Sequence, residues 1–154
     1  MSPILQVALD FIDLPRALKL ADEAIMGGAD WLEAGTPLIK SVGLDCIRTL
    51  RKRFPHTTIV ADMKTMDVGR IEVEMAAKAG ANVVSILGLA GESTIRECVE
   101  AAGNYGARIM VDFLEIPSFV DKVKQMQDFG VDYICIHTSI DEQMQGRVSF
   151  KQVR

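Results

Sequence analysis

Cysteine is scarce in this sequence and scattered. Cys46, Cys98 and Cys135 are odd in number and show no Cys-x-x-Cys spacing, which argues against a disulfide framework or a thiolate zinc site and leaves them as small buried apolar residues. Basic residues do not prevail either: 17 Lys and Arg stand against 21 Asp and Glu, and a formal charge of −4 gives no footprint for nucleic acid. The local exception, Arg48 to Arg53, reads as the solvated last turn of a helix, where cations complement the helix dipole. No apolar run approaches about 18 residues, so no membrane span is indicated. The N-terminus lacks a basic stretch followed by a long apolar one, and a cytoplasmic location is the expectation. Histidine occurs twice, His56 in a Pro-His-Thr loop and His137 at the end of an apolar run.

What is present is an alternation of short apolar runs with amphipathic stretches. With 154 residues, about half of them apolar, the chain fits one domain, 1–154, around one core. Ile4 to Asp10 reads as a strand with Leu5, Val7 and Leu9 on one face and Gln6, Ala8 and Asp10 on the other. Asp13 and Pro15 open a helix whose buried stripe is Leu14, Ala17, Leu18, Ala21 and Ile25, ended by Gly27-Gly28. The next strand, Ala29 to Gly35, puts Trp31 and Glu33 on a shared face. After a Gly35-Thr36-Pro37 loop, one helix is predicted from about Ser41 or Gly43 to Phe54. Thr58 to Lys64 is the third strand, followed by a helix from Val68 to Ala79 whose Ile71 and Met75 lie one turn apart. Asn82 to Leu87, Arg108 to Asp112 and Tyr133 to His137 complete six strands, separated by helices from Glu92 to Tyr105 and from Pro117-Ser118 to about Gly130.

A repeat underlies this order. Gly28-Ala-Asp, Gly80-Ala-Asn and Gly130-Val-Asp each introduce an even-numbered strand, at intervals of 52 and 50 residues. Two βα units make one period, and four periods would build a parallel (β/α)8 TIM barrel of roughly 200 residues or more. Three periods at most fit here, so the expectation is about the first six βα units of such a barrel, truncated after strand six near the polar run Asp141 to Arg147. The rival is a complete open sheet of the flavodoxin type. Strands of an open sheet tend to be apolar on both sides, whereas nearly every strand here has a polar residue near its carboxyl tip, which favours the barrel.

Those tips supply Asp10, Glu33, Asp62, Lys64, Ser85, Asp112 and His137. Asp62 and Lys64, one residue apart, share a strand face, as expected of an ion pair prepared for a charged ligand or of a solvated surface pair. Glu33 and Asp62 suit a hard divalent cation such as Mg²⁺, which would relieve repulsion between inward acids. An imidazole at position 137 suits proton transfer, and a satisfied core histidine is the rival reading. Asp112 and Ser85 read as structural, the first capping the following turn and the second satisfying local backbone.

Leu5-Gln-Val-Ala-Leu-Asp10, Glu33-Ala-Gly-Thr36, Asp62-Met-Lys64-Thr-Met-Asp67-Val-Gly and His137-Thr-Ser-Ile-Asp141-Glu-Gln143 together resemble the orotidine monophosphate decarboxylase superfamily, whose hallmark is Asp-x-Lys-x-x-Asp. The resemblance covers essentially the whole chain. Within the superfamily it is nearest the 3-hexulose-6-phosphate synthase family, with 3-keto-L-gulonate-6-phosphate decarboxylase as the near relative. The decarboxylases typically carry an arginine shortly after the histidine, where this sequence has Thr138, Ser139 and Ile140, and Thr94-Ile95 is also synthase-like.

The resemblance implies an aldol reaction joining formaldehyde to D-ribulose 5-phosphate, reversibly, through a Mg²⁺-stabilised enediolate. Glu33 and Asp62 would hold the metal, His137 would move the C1 proton, Lys64 would supply positive charge or a proton, and Asp10 would orient a hydroxyl. In the family the acid matching Asp67 reaches into the neighbouring subunit's site, which implies a homodimer. Family members bind the substrate phosphate through glycine-rich loops after strands seven and eight, which would lie beyond Arg154. The metal and proton-transfer half of the site is therefore expected without the phosphate anchor, and the chain is expected to be weakly active or inactive unless a second polypeptide supplies the rest. The alternatives are a phosphosugar decarboxylase on the same scaffold, or an assembly module whose edge strands pair with another chain.

Overall fold

A computed structural model describes residues 2–146; Arg147, at the end of the polar run noted above, lies outside the described residues. Six strands, β1 (Gln6–Leu9), β2 (Trp31–Ala34), β3 (Thr58–Thr65), β4 (Val83–Leu87), β5 (Arg108–Asp112) and β6 (Tyr133–Cys135), are all parallel and hydrogen-bonded in chain order. A flavodoxin-type sheet reverses its winding at a switch point. This order never does, and the sheet is a six-strand segment of a parallel barrel.

Between the strands run α1 (Leu14–Met26), α2 (Thr36–Val42), α3 (Asp45–Arg53), α4 (Gly69–Ala79), α5 (Glu92–Tyr105) and α6 (Phe119–Phe129), with α7 (Ile140–Met144) after β6. Alternation decides which strand residues meet the helices. Leu9, Leu32, Ala34, Ile59, Ala61, Val84, Ile86, Ile109 and Val111 form the buried layer, packed with Ala17, Ala21, Ile47, Leu50, Val73, Ala76, Ile95, Cys98 and Met126. The opposite face, one residue out of step, is left for the polar tips.

One element differs from expectation. The helix predicted from Ser41 or Gly43 to Phe54 is α3, and the loop expected at Gly35-Thr36-Pro37 instead opens a separate helix, α2. Pro37 sits in the first turn of α2, where its missing N–H is harmless, and Gly43 at φ 74° breaks the chain before α3 begins at Asp45. In α4 the apolar pair Ile71 and Met75 faces outward, 56% and 46% exposed, while Gly69, Val73, Ala76 and Ala79 face the core.

The 52- and 50-residue repeat has a physical basis. Gly28, Gly80 and Gly130 all adopt positive φ, and the N–H after each reaches back to a helix carbonyl, Ala24, Ala76 and Met126 respectively, which ends the helix. The Asp or Asn that follows forms a two-way clasp with the preceding odd strand. Asp30, Asn82 and Asp132 donate their backbone N–H to the carbonyls of Leu5, Ile59 and Ile109. Their side chains accept the N–H of the same three residues at 2.8, 2.9 and 2.9 Å. Asn82 also takes a guanidinium bond from Arg51, whose remaining donors go to the carbonyls of Phe54, Pro55, Thr57 and Gly80. Arg51 is thus a structural strut within the basic stretch.

Asn82→Ala leaves the Ile59 N–H and one Arg51 donor without their partner. Urea unfolding is expected to show a loss of about 1–3 kcal/mol at unchanged m-value, and a loss below about 0.3 kcal/mol would contradict the clasp.

Candidate active site

The carboxyl ends of the strands open on a cavity of about 780 Å³. Asp10, Glu33, Asp62, Lys64, Asp112 and His137 all line it, as does Ser85. Asp67 does not; it is exposed, and its carboxylate accepts the neighbouring Val68 N–H at 2.7 Å.

The site is built on an irregularity in β3. Ala61 pairs with Val84 but Thr65 pairs with Ile86, so the strand leaves its ladder between them. Lys64 lies in that interval at φ 48°, a left-handed conformation that costs a non-glycine residue about 1–2 kcal/mol. Its ammonium is held by Asp62 Oδ2 at 2.9 Å and Asp112 Oδ2 at 2.8 Å. Val68, just beyond the Asp62 to Asp67 motif, is also left-handed at φ 51°.

Each carboxylate is itself positioned. Asp62, 7% exposed, receives the Thr36 hydroxyl on Oδ2 at 2.7 Å and the Ser85 hydroxyl on Oδ1. Asp112, 2% exposed, divides its two oxygens: Oδ1 accepts the Leu114 N–H at 3.0 Å, and Oδ2 meets both Lys64 and His137 Nδ1, the latter at 2.8 Å. The expected turn cap is therefore present, and the same residue is also the hinge between the lysine and the histidine. Glu33 is bonded by the Gln6 amide. Gly35 keeps space for Asp10, since a Cβ there would stand 2.0 Å from Asp10 Oδ1.

Burial works against charge on Lys64, but its bonds to Asp112 and Asp62 outweigh this and hold its pKa above the ordinary lysine range. The bond to Asp112 raises His137 above its usual value. Burial opposes ionisation of Asp112 too, yet its bonds to His137 and Lys64 bring its pKa below normal. Glu33 goes the other way: burial, then repulsion from Asp62, pushes its carboxyl up to about 7. Burial and the same neighbour raise Asp10. Cys135, read from sequence as a buried apolar residue, is half-buried and lines the cavity, its thiol pushed up to about 11 by burial.

This electrostatic pattern bears on a cation. Asp10, Glu33 and Asp62 share one region, and repulsion from Asp62 adds to burial in raising both Glu33 and Asp10. A hard divalent ion would relieve it, and oxygen donors are the right chemistry for Mg²⁺. Glu33 and Asp62 carry the donor atoms such an ion takes, but among the described residues no group of three or more His, Cys, Asp or Glu is placed to hold a metal, so most ligand positions would fall to water or substrate oxygens.

The sequence alone assigns no role in the site to Gln6, Thr36 or Gly35. Each lies within or beside a run that carries a candidate acid, but its role depends on which strand lies alongside.

The sequence matches the Orotidine 5'-phosphate decarboxylase / HUMPS family over residues 3–154. It is similar to the 3-hexulose-6-phosphate synthase of Bacillus subtilis (strain 168), 36% identical over 149 residues that make up 97% of this chain and 70% of that protein. The fold superposes on the crystal structure of 3-hexulose-6-phosphate synthase from Salmonella typhimurium with a TM-score of 0.93 at 32% identity, covering 98% of this chain and 71% of that one. The crystal structure of 3-keto-L-gulonate-6-phosphate decarboxylase from Vibrio cholerae gives 0.89 at 29% identity, over 99% and 71% of the two chains.

Glu33 generates a pH prediction. Its folded pKa of about 7 lies above its ordinary 4.5, so stability from the protonated carboxyl is complete below pH 4.5 and lost as pH rises to about 7. Relative to Glu33→Gln, the wild-type chain is expected to lose up to about 3 kcal/mol across that window. Parallel urea curves for the two proteins at pH 4.5 and pH 7.5 would contradict the assignment.

Proposed function

From the chain's membership in the Orotidine 5'-phosphate decarboxylase / HUMPS family, we propose that it is an aldehyde-lyase of the 3-hexulose-6-phosphate synthase type, condensing formaldehyde with D-ribulose 5-phosphate to 3-hexulose 6-phosphate and catalysing the reverse. The single observation that carries the reading is the Asp62–Lys64–Asp112–His137 chain of contacts at the strand tips. It provides a fixed positive charge and an adjacent titratable base in one cavity.

His137 takes the C1 proton of the bound ketose. With Nδ1–H given to Asp112, Nε2 is left for this task, and the raised pKa makes the neutral imidazole a better base. The resulting carbanion attacks the formaldehyde carbon, forming the C–C bond, and the former aldehyde oxygen takes up a proton. Lys64 supplies charge to the developing oxyanion rather than a proton, because its elevated pKa makes it a poor acid. Glu33 and Asp62 would hold Mg²⁺, which when bound supplies Lewis-acid polarisation of the sugar's vicinal oxygens. Asp10 orients a substrate hydroxyl. Three cysteines, all free thiols, suit a reducing compartment, and a cytoplasmic location is part of the proposal. Among the described residues no helix is long and apolar enough to cross a membrane.

A homodimer is also proposed, with Asp67 completing the partner's site. Met66, Val68, Ile71 and Met75 are all about half exposed. Ile71 and Met75 lie one turn apart on α4 and Val68 directly precedes it, so the exposed acid sits beside an apolar patch suited to burial against a second copy.

In a coupled assay, condensation of formaldehyde with ribulose 5-phosphate should require Mg²⁺, stop with chelator, and fall by at least about 10²-fold in His137→Asn. kcat/KM should rise with pH through a value above 6.5 as His137 loses its proton. Activity on 3-keto-L-gulonate 6-phosphate in place of the ribulose substrate would assign the decarboxylase instead. Sedimentation velocity should give a dimer that Ile71→Asp dissociates; a monomer with full activity would exclude the shared site.

A further inference from the structure

We propose that Ser85 is a positioning residue of this site, a single hydroxyl that fixes both ends of the Asp62-Met63-Lys64 segment and thereby places the lysine ammonium between its two carboxylates. Ser85 lies in the middle of β4 on the cavity face and is 3% exposed. Its Oγ–H donates to Asp62 Oδ1, and its Oγ accepts the backbone N–H of Lys64 at 3.3 Å. Where β3 leaves register between Ala61 and Thr65, the serine oxygen is the acceptor that this N–H meets.

A hydroxyl is suited to this double task because it offers one proton and two lone pairs. Alanine offers neither, and a thiol offers weak versions of both. The left-handed Lys64 backbone persists because its two sides are held separately: Ser85 takes its N–H, while Asp62 and Asp112 take its ammonium. Thr36 also bonds Asp62 but touches neither the backbone nor the amine of Lys64, so Ser85 alone of the two hydroxyls links the acid to the lysine.

The inference deepens the proposed function and rests on it only for its kinetic arm. The test compares the full chain as wild type, Ser85→Ala and Ser85→Thr, with cooperative unfolding checked for each. First, Lys64 acetylation by acetic anhydride is followed at one pH by peptide mass spectrometry, which needs no catalysis. Ser85→Ala should loosen the ammonium from its two carboxylates and raise Lys64 reactivity at least about tenfold, and Ser85→Thr should keep it within about threefold of wild type. Second, condensation kinetics with saturating Mg²⁺ should show kcat reduced by about 10²-fold in Ser85→Ala with little change in KM. Should Ser85→Ala not fold, Ser85→Cys carries the same expectation. Wild-type Lys64 reactivity and an unchanged kcat in the folded alanine or cysteine variant would overturn the role of Ser85, as would equal damage from threonine and alanine. If the wild-type chain condenses nothing, the proposed function falls while the acetylation result still decides the positioning role.

Discussion

One ammonium held between two carboxylates governs the mouth of this sheet. Lys64 reaches Asp62 on its own strand and Asp112 two strands away, so a single charge ties β3 to β5 across β4. Buried ion pairs are weak sources of stability, because desolvation offsets most of the Coulomb gain, but removing one partner leaves an uncompensated charge at a cost of about 3–5 kcal/mol. Such a group is therefore held in place firmly without making the protein much more stable. The left-handed backbone at Lys64 adds to that cost. A site of this kind is expected where fixed positive charge serves a reaction rather than the fold.

The two ends of the strands have separate duties. At the amino ends, Asp30, Asn82 and Asp132 clasp β1, β3 and β5 in three equivalent ways and fix the two-βα period. At the carboxyl ends the equivalence is gone, and each strand contributes a different group to the cavity. Parallel barrels divide stability and chemistry in this way, and here the division follows from side chains whose backbone positions are set by the same alternation.

That alternation is also why so much was legible in the sequence. Asp10, Glu33, Asp62, Lys64 and His137 were placed on one face by period two alone, and all five line the cavity. The rule stops at Lys64, where the backbone turns left-handed, and Asp67 beyond it points elsewhere. Asp112 reads from sequence only as a strand tip and turn cap, because its further contacts come from β3 and the end of β6, which bring Lys64 and His137 to the same oxygen. Thr36, Ser85 and Gln6 depend likewise on neighbouring strands, and register is not written in any one segment. Pro37 resembled a loop residue because proline serves both loops and first helical turns. In α4 the exposed Ile71 and Met75 have the same helical spacing as a core stripe, so apolar periodicity alone does not say which side meets the sheet.

Proton abstraction at the mouth of the sheet is the central claim, and isotope exchange reads it without formaldehyde or a completed aldol step. Ribulose 5-phosphate incubated with the protein and Mg²⁺ in heavy water should lose its C1 proton signal by NMR, with deuterium entering one of the two C1 positions, and His137→Asn should abolish the exchange. No exchange above the protein-free rate at saturating sugar and metal would contradict the account.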